Sequence, residues 1–543
     1  MGRQSNEKKR NRANNAGGVP VDAYNVGLAI ANVLHELRPK TSGVLTEPTT
    51  PLNLYHIYFL YLWIAGHLSG IEREQDIPDL VLVSGRVDCA LHHLRRVREG
   101  GVSWVEYAIP CALAKETVYL WQPMPDALNA VFSYWLTHHD TELHLNKMQK
   151  KQLFWRLKKR KLRTPEALRS QLVLRKDLLY SYIERMAHCD PYLSLPAQKL
   201  ITAKKVHHHS ALSYQMLNCD QIRYEIFCAH NRYLQRLIPQ INQRHIKPFC
   251  DVRLPTTGAL IPVFTTLNER PPYLKKAGAI VAFTLELTEG ARTYIPIPPI
   301  SIGSTRAIPI PKLSLFFGHL RQQLATAPEK NASQDALREY YNARTYELAL
   351  LFVLLTGTRP THHISIEREA CFDLQRALIK DKGRYRLIDI PNYLRQAIES
   401  YLKLQARVLQ TLAPNGASAM GPLWYLIDEN NVAVPLTAKT LRLFMHAQWQ
   451  HCFQQRLGSP EEKVVPYQLR HSFAQHALMA THPRLTTQQI DVLMGHSELG
   501  EHLGSAYAFQ ACNQTLIAHL NHWPSRLQLS AITPCPSKKD RAL

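Results

Sequence analysis

Tyr507 lies eleven residues after His496 in Leu493-Met494-Gly495-His496, and Arg470 precedes both in Tyr467-Gln468-Leu469-Arg470-His471. Over a hundred residues earlier, Arg359 closes Thr356-Gly357-Thr358-Arg359. Two arginines, a histidine and a late tyrosine are the parts needed to attack a phosphodiester without a metal ion. The pentacoordinate state of such an attack carries charge on its non-bridging oxygens. Forked, permanently charged guanidiniums stabilise that charge. A phenol as nucleophile forms a covalent phosphoryl link, which keeps the bond energy for rejoining. Taken singly, Arg470-His471 reads equally as a buried salt-bridge site and His496 as a satisfied helix-end histidine.

The elements that must position these groups are readable around them. A helix rich in Leu, Ala and Tyr is predicted from about Ala336 to Leu355, with Gly357 as its C-terminal stop, so that Arg359 emerges from the following turn. Two short apolar runs, Arg376 to Asp381 and Tyr385 to Pro391, flank Lys382-Gly383-Arg384. That pattern predicts a β-hairpin with Lys382 at its tip, where a lysine by itself reads as merely solvated and, in company with the other groups, as a general acid for a departing oxygen. Arg470 opens a helix through Phe473, His476 and Leu478. Thr486-Thr487-Gln488-Gln489 caps the next one, which ends at Gly495 just before His496. No tyrosine follows Tyr507 in the chain.

The rest of the chain is strongly basic. Its 543 residues carry a formal charge of +22, and 45% of them are hydrophobic. Such a chain is globular, long enough for several domains, and suited to a polyanionic partner. Nine basic and no acidic residues fall between Lys147 and Arg163: Lys147, Lys150, Lys151, Arg156, Lys158, Lys159, Arg160, Lys161 and Arg163. Leu153, Phe154 and Leu157 give the run a helical apolar stripe. The run reads as a DNA-backbone contact, with a merely solvated helix face as the alternative. Thr164-Pro165-Glu166 suggests the start of a further helix. Another is expected from about Thr202 through His207-His208-His209 to Met216, and three consecutive histidines project in different directions, so they do not share one metal.

Residues 21–140 read as a mostly helical, aromatic-rich domain after a basic tail, and Leu52 to Leu68 as a buried helix too short to span a bilayer. Residues 141–245 read as basic helices. Val252 to Leu260 and Ala279 to Leu287 read as strands. They lead into the Pro-Ile runs Tyr294 to Ile300 and Ile308 to Pro311, expected to be an extended connector across the end of 246–324. Ten scattered cysteines with no C-x-x-C pair speak against a zinc ribbon or disulfide framework, and no apolar signal stretch opens the chain. A soluble, cytoplasmic protein is the expectation.

Thr356-Gly357-Thr358-Arg359, the Lys382 hairpin, Leu469-Arg470-His471-Ser472-Phe473-Ala474, Met494-Gly495-His496 and Tyr507 resemble, in order, the catalytic boxes of the tyrosine recombinase (phage integrase) family. The resemblance covers residues 325–525. It implies a mainly α, multi-domain protein whose C-terminal catalytic domain is helical with a small antiparallel sheet, preceded by a helical DNA-binding region in 141–245, with a tail at 526–543. It implies double-stranded DNA as substrate and a covalent 3′-phosphotyrosyl intermediate formed by Tyr507. A homo-tetramer on paired sites, no cofactor, no metal and no membrane are implied too, with an accessory recombinase or directionality factor as a compatible partner. A mobile element at a bacterial nucleoid is the setting it suggests. Tyr467 stands where the family has histidine, and the interval from His496 to Tyr507 is slightly longer than usual. Tyrosine donates a hydrogen bond but is a poor base near neutrality, with an ordinary pKa of about 10. Two alternatives stay open: a type IB topoisomerase-like enzyme acting alone, and a DNA-binding protein that kept the fold without the activity.

Overall fold

The structure, a computed structural model, describes residues 22–38, 52–83, 90–99, 102–112, 117–139, 143–158, 179–202, 214–242, 283–287, 290–294, 301–304, 306–324, 328, 333–360, 364, 366–372, 374–381, 384–413, 421–457, 463–496 and 506–529. The chain divides into two compact units, Met1–Lys205 with Leu217–Ile302, and Val206–Met216 with Gly303–Leu543. Both are mainly helical with small sheets. Among the described residues no helix is long and apolar enough to cross a membrane.

In the first unit, helices α1 (Ala23–Glu36), α2 (Leu54–Ile64), α3 (Asp126–His138), α4 (Lys147–Lys158), α5 (Tyr182–Cys189), α6 (Leu195–Thr202) and α7 (Cys219–Ile241) accompany a four-stranded sheet. Helix α2 is buried from His56 to Ile64, which matches its unbroken apolar sequence. The sheet runs β1 (Val81–Val83), β2 (His93–Glu99), β3 (Val102–Ala112), β4 (Thr117–Pro123) in spatial order, the first pair parallel and the others antiparallel. It places strands at 81–123, inside the stretch that reads as mostly helical from sequence. Val, Trp, Tyr and Thr crowd the 102–121 stretch, and such side chains pack well on a pleated surface. Glu106 of β3 is buried between Arg95 of β2 at 2.5 Å and Arg223 of α7 at 2.6 Å. Burial opposes its charge, but Arg223 and Arg95 outweigh that and hold its pKa below the usual carboxylate value.

Helix α6 reaches Thr202, where a helix start is expected, and Met216–Asn218 is a strand where that helix is expected to end; residues 203–213, with His207, His208 and His209, lie outside the described residues. Strands β5 (Phe283–Leu287) and β6 (Gly290–Tyr294) pair antiparallel. The strand expected at Val252 to Leu260, the Pro-Ile run 295–300 and Thr164-Pro165-Glu166 also lie outside the described residues.

The second unit opens with helix α8 (Ile310–Gln323), where a connector is expected from the sequence. Pro311 sits in its first turn, a position that needs no backbone donor, so proline begins this helix instead of blocking it. Helix α9 (Gln334–Thr356) starts at Ser333, whose side chain accepts from the Ala336 N–H. Its buried Glu347 pairs with Arg344 at 2.5 Å and reaches Arg321 of α8 at 3.5 Å, which makes α8 part of this unit. A small sheet follows: β7 (Cys371–Phe372), β8 (Arg376–Asp381) and β9 (Arg384–Asp389), with β8 and β9 forming the expected hairpin. Then come α10 (Asn392–Leu412), a β10 (Tyr425–Ile427)–β11 (Ala433–Pro435) ribbon, α11 (Ala438–Leu457), α12 (Tyr467–Met479), α13 (Thr487–Leu493) and α14 (Ala506–Arg526). Helix α9 packs against α10, α12 and α14. Tyr341 of α9 stacks on Tyr401 of α10, and the Gln405 amide donates to the Tyr341 hydroxyl and the Leu423 carbonyl.

One buried histidine makes folding of the first unit sensitive to pH. His56 Nδ1 accepts from the Asn53 N–H at 3.0 Å, so Nε2 carries the proton and donates to the Leu34 carbonyl at 2.7 Å. A second ring proton would face the Asn53 N–H. Burial, then the charges of Arg38 and Arg156, bring its pKa down to about 4 against the pull of the Leu34 hydrogen bond. The unfolded chain therefore binds this proton first, so its contribution is complete above about pH 6.5 and is lost on acidification toward 4. Thermal unfolding of the wild type should show stability falling through that window, by about 3 kcal/mol from this site alone. His56→Gln should flatten the fall; an unchanged slope would contradict it.

Candidate active site

Helix α9 ends in Gly357, whose φ of 64° is left-handed and whose N–H bonds back to the Val353 carbonyl at 3.0 Å. A side chain there would also collide with the Phe473 ring of α12, its Cβ falling 2.6 Å from Cε1. Glycine thus lets the Thr356–Arg359 turn lie directly on the helix that carries Arg470. Thr356 and Thr358 join through their hydroxyls at 3.1 Å beneath the turn.

Arg470 is fully buried. Its Nη1 donates to the Gly357 carbonyl, and its Nη2 to the Met494 carbonyl at 2.6 Å. One guanidinium therefore fastens the ends of α9 and α13 to α12. Both carbonyls belong to helix C-terminal turns, where partial negative charge favours a cation. Burial lowers the Arg470 pKa, partly offset by a hydrogen bond to Tyr214. Helix α13 begins with the expected capping box, Thr486 and Gln489 each bonding the other's backbone. It closes on Gly495, with φ of 69°, and the His496 N–H returns to the Asp491 carbonyl at 2.7 Å. His496 Nδ1 lies 3.5 Å from Asp491 Oδ1. Burial and then Arg470 lower the His496 pKa, while Asp491 resists.

Tyr214, within the same unit, enters the centre of this cluster. Its ring stacks on His496 at 5.7 Å and lies 4.6 Å from His471, and the Arg470 guanidinium sits 5.8 Å from its centroid. Its hydroxyl is 3.5 Å from that of Tyr467. Burial resists ionisation of Tyr214, but Arg470, the hydrogen bonds from Tyr467 and Arg470, and Arg359 together take its pKa below the ordinary phenol value. Tyr467 moves the other way, raised by burial and by Tyr214. Gln475 of α12 holds the approach, its Oε1 accepting from the Met216 N–H at 2.6 Å and its amide donating to the Met216 carbonyl.

Of the residues expected from sequence, Arg359, Tyr467, Arg470 and His496 come together. The charge of Arg359 is felt by Tyr214, Tyr467, Arg470 and His496 alike. Lys382, between β8 and β9 in sequence, lies outside the described residues. Tyr507 falls in the first turn of α14, and its side chain lies outside them too. That helix is anchored further along, where Trp523 stacks on His476 of α12 at 3.7 Å and donates to the Leu354 carbonyl of α9 at 3.1 Å.

Three participants were not legible: Tyr214, Asp491 and Arg386. Arg386 of β9 donates from Nη1 to the Leu493 carbonyl at 3.1 Å. Strand alternation could have found it, since Tyr385 and Leu387 on either side are exposed. Nothing could have found Tyr214, which meets Tyr467 across 253 residues.

On α4, Lys147 and Lys151 are exposed, as are Met148 and Trp155. Three other cations are turned to the protein itself. Lys150 pairs with Asp79 at 2.7 Å, Arg156 donates to the Arg38 carbonyl at 3.2 Å and lies over Tyr55, and Lys158 donates to the Glu72 carbonyl at 3.3 Å. Lys159, Arg160, Lys161 and Arg163 lie outside the described residues.

No protein-family model matches this chain, and no curated protein matches it.

Gly357→Ala should destabilise the second unit by about 2 kcal/mol or more, from left-handed strain plus the Phe473 collision. Chemical denaturation of the purified chain measures it, and a variant as stable as wild type would refute this account of the turn.

Proposed function

We propose that the chain is a metal-independent DNA strand transferase of the tyrosine recombinase class, a site-specific recombinase or integrase of a mobile element. The observation that carries this reading is Arg470, a buried guanidinium aimed by two helix-end carbonyls and set among Arg359, His496 and two tyrosine hydroxyls. A buried cation cluster of this kind suits the non-bridging oxygens of a phosphodiester. The order of the contributing motifs along the chain is the second support.

In the reaction, the Tyr507 phenol loses its proton as its oxygen bonds to phosphorus. The bond from phosphorus to the 5′ oxygen breaks, and that oxygen takes a proton from Lys382. Arg359 and Arg470 hold the non-bridging oxygens throughout. His496, steadied by Asp491, hydrogen-bonds the phosphate or receives the Tyr507 proton. Tyr467 serves as a hydrogen-bonding partner, not as a base, because its pKa is raised. Rejoining reverses these steps with a new 5′ hydroxyl. A complete exchange takes one attack per strand, hence four protomers on two duplexes, with Lys147, Lys151 and the exposed Trp155 of α4 among the contacts to DNA.

A pool of nicked duplexes with a randomised window tests this. Cleavage beside a nick releases a short strand and leaves the covalent complex trapped. Wild type should give a detergent-resistant adduct mapping to Tyr507, Tyr507→Phe none, and Arg470→Ala roughly a hundredfold less or lower. No adduct from wild type across the pool, or one mapping elsewhere, would sink the reading.

Affinity for duplex DNA should fall steeply with salt. Lys147→Ala with Lys151→Ala should reduce the logarithmic salt slope by about 2. Titrations at several salt concentrations read this directly, and an unaltered slope would remove α4 from the DNA interface.

A further inference from the structure

We propose that Arg386 is a third phosphate-binding arginine of this site, donating to a non-bridging oxygen of the scissile phosphate alongside Arg359 and Arg470; this rests on the strand-transferase reading. Arg386 lies on β9, paired with Ile379 of β8, and shares the inward face of the hairpin with buried Ile388. An arginine among inward positions, between exposed Tyr385 and Leu387, is unusual on a strand whose polar residues could all face water.

Its placement is tightly shared with Arg470. Arg386 donates to the Leu493 carbonyl and Arg470 to the next carbonyl in the chain, Met494, so one turn orients both guanidiniums. The following residue, Gly495, has no room for a side chain, since a Cβ would fall 2.6 Å from Arg386 Nε. The Arg386 side chain therefore passes directly over the Gly495 backbone, just before His496. Burial, and then the charges of Arg470 and Arg359, lower its pKa to about 9. Three cations thus repel one another in one partly desolvated place, an arrangement that a phosphate dianion or diester relieves. The contact also ties the hairpin that carries Lys382 to the turn that carries His496.

A bland role exists: Arg386 could be only a latch between hairpin and turn. Charge distinguishes the two. Arg386→Gln retains an N–H donor for the Leu493 carbonyl but has no charge. Adduct formation is compared on the nicked duplex selected by wild type and on the same duplex with a methylphosphonate at the scissile position, where one charged oxygen is replaced by methyl. The phosphotyrosyl bond forms and the 5′ oxygen leaves as before, with one fewer negative charge to stabilise. The expected result is a loss of roughly a hundredfold on phosphate and recovery to within about tenfold of wild type on methylphosphonate. Leu387→Ala, exposed and one residue away, should behave as wild type on both.

Full activity of Arg386→Gln on phosphate overturns the proposal, as does equal loss on both substrates, which marks a latch. Absence of any wild-type adduct overturns instead the reading on which it rests. Circular dichroism and thermal unfolding of Arg386→Gln accompany the assay; a folded variant with the substrate-dependent loss sustains the proposal.

Discussion

The site depends on one buried guanidinium. Arg470 has no exposure to solvent, and its two forks end on the carbonyls of Gly357 and Met494. Removing a charge from water costs several kcal/mol, which only good geometry offsets. Here the offset comes from two helix C-termini, whose unpaired carbonyls need donors and carry partial negative charge. Need is thus mutual: the helix ends are capped by the arginine, and the arginine is solvated by the helix ends. The turns bearing Arg359 and His496 cannot shift without leaving a buried donor unmet. Gly357 is what lets the first carbonyl reach it, through its left-handed φ of 64° and its close approach to Phe473.

Around this fixed point the other groups are sorted by electrostatics. Arg359 and Arg386 add positive charge near Arg470, and the pKa values of Arg386, Arg470 and His496 all move down. Asp491 opposes this only at His496. The field at this cluster is therefore positive and fixed in orientation by the backbone contacts of Arg470 and Arg386. The same field explains the split between two touching phenols. Tyr214, beside the Arg470 charge, becomes more acidic, whereas at Tyr467 burial and Tyr214 outweigh the same charges and make it less so.

Much of the second unit was legible because its signals are local. Ser333 and Gly357 bracket α9, Thr486 and Gln489 box the start of α13, and a Gly-bearing turn between apolar runs gives the β8–β9 hairpin. Arg359, Arg470 and His496 could be named because each sits at such a boundary. Less legible were elements fixed by distant partners. The β2–β4 strands rest on cross-strand aromatics and on Glu106 meeting Arg223 across 117 residues, and no local period announces that. The cations of α4 read as one basic face, yet Lys150, Arg156 and Lys158 are partly spent on Asp79 and on backbone carbonyls. Helix α8 looks like a connector in the sequence because proline breaks most helices, whereas at a first turn it starts one.

The tyrosine at position 467 is best understood through the same fixed point. A histidine three residues before Arg470 would share its helix face and could both orient the guanidinium and move a proton. In this chain orientation does not depend on that position, since the two carbonyls already set both forks of Arg470. What position 467 supplies is a second phenol beside Tyr214. The Tyr467 and Tyr214 hydroxyls lie 3.5 Å apart, and the Arg470 guanidinium sits 5.8 Å from the Tyr214 ring centroid. Charge placement and acidity are therefore set at different levels here: Arg470 is locked by backbone carbonyls, and the acidities of Tyr214 and His496 follow the charge so held.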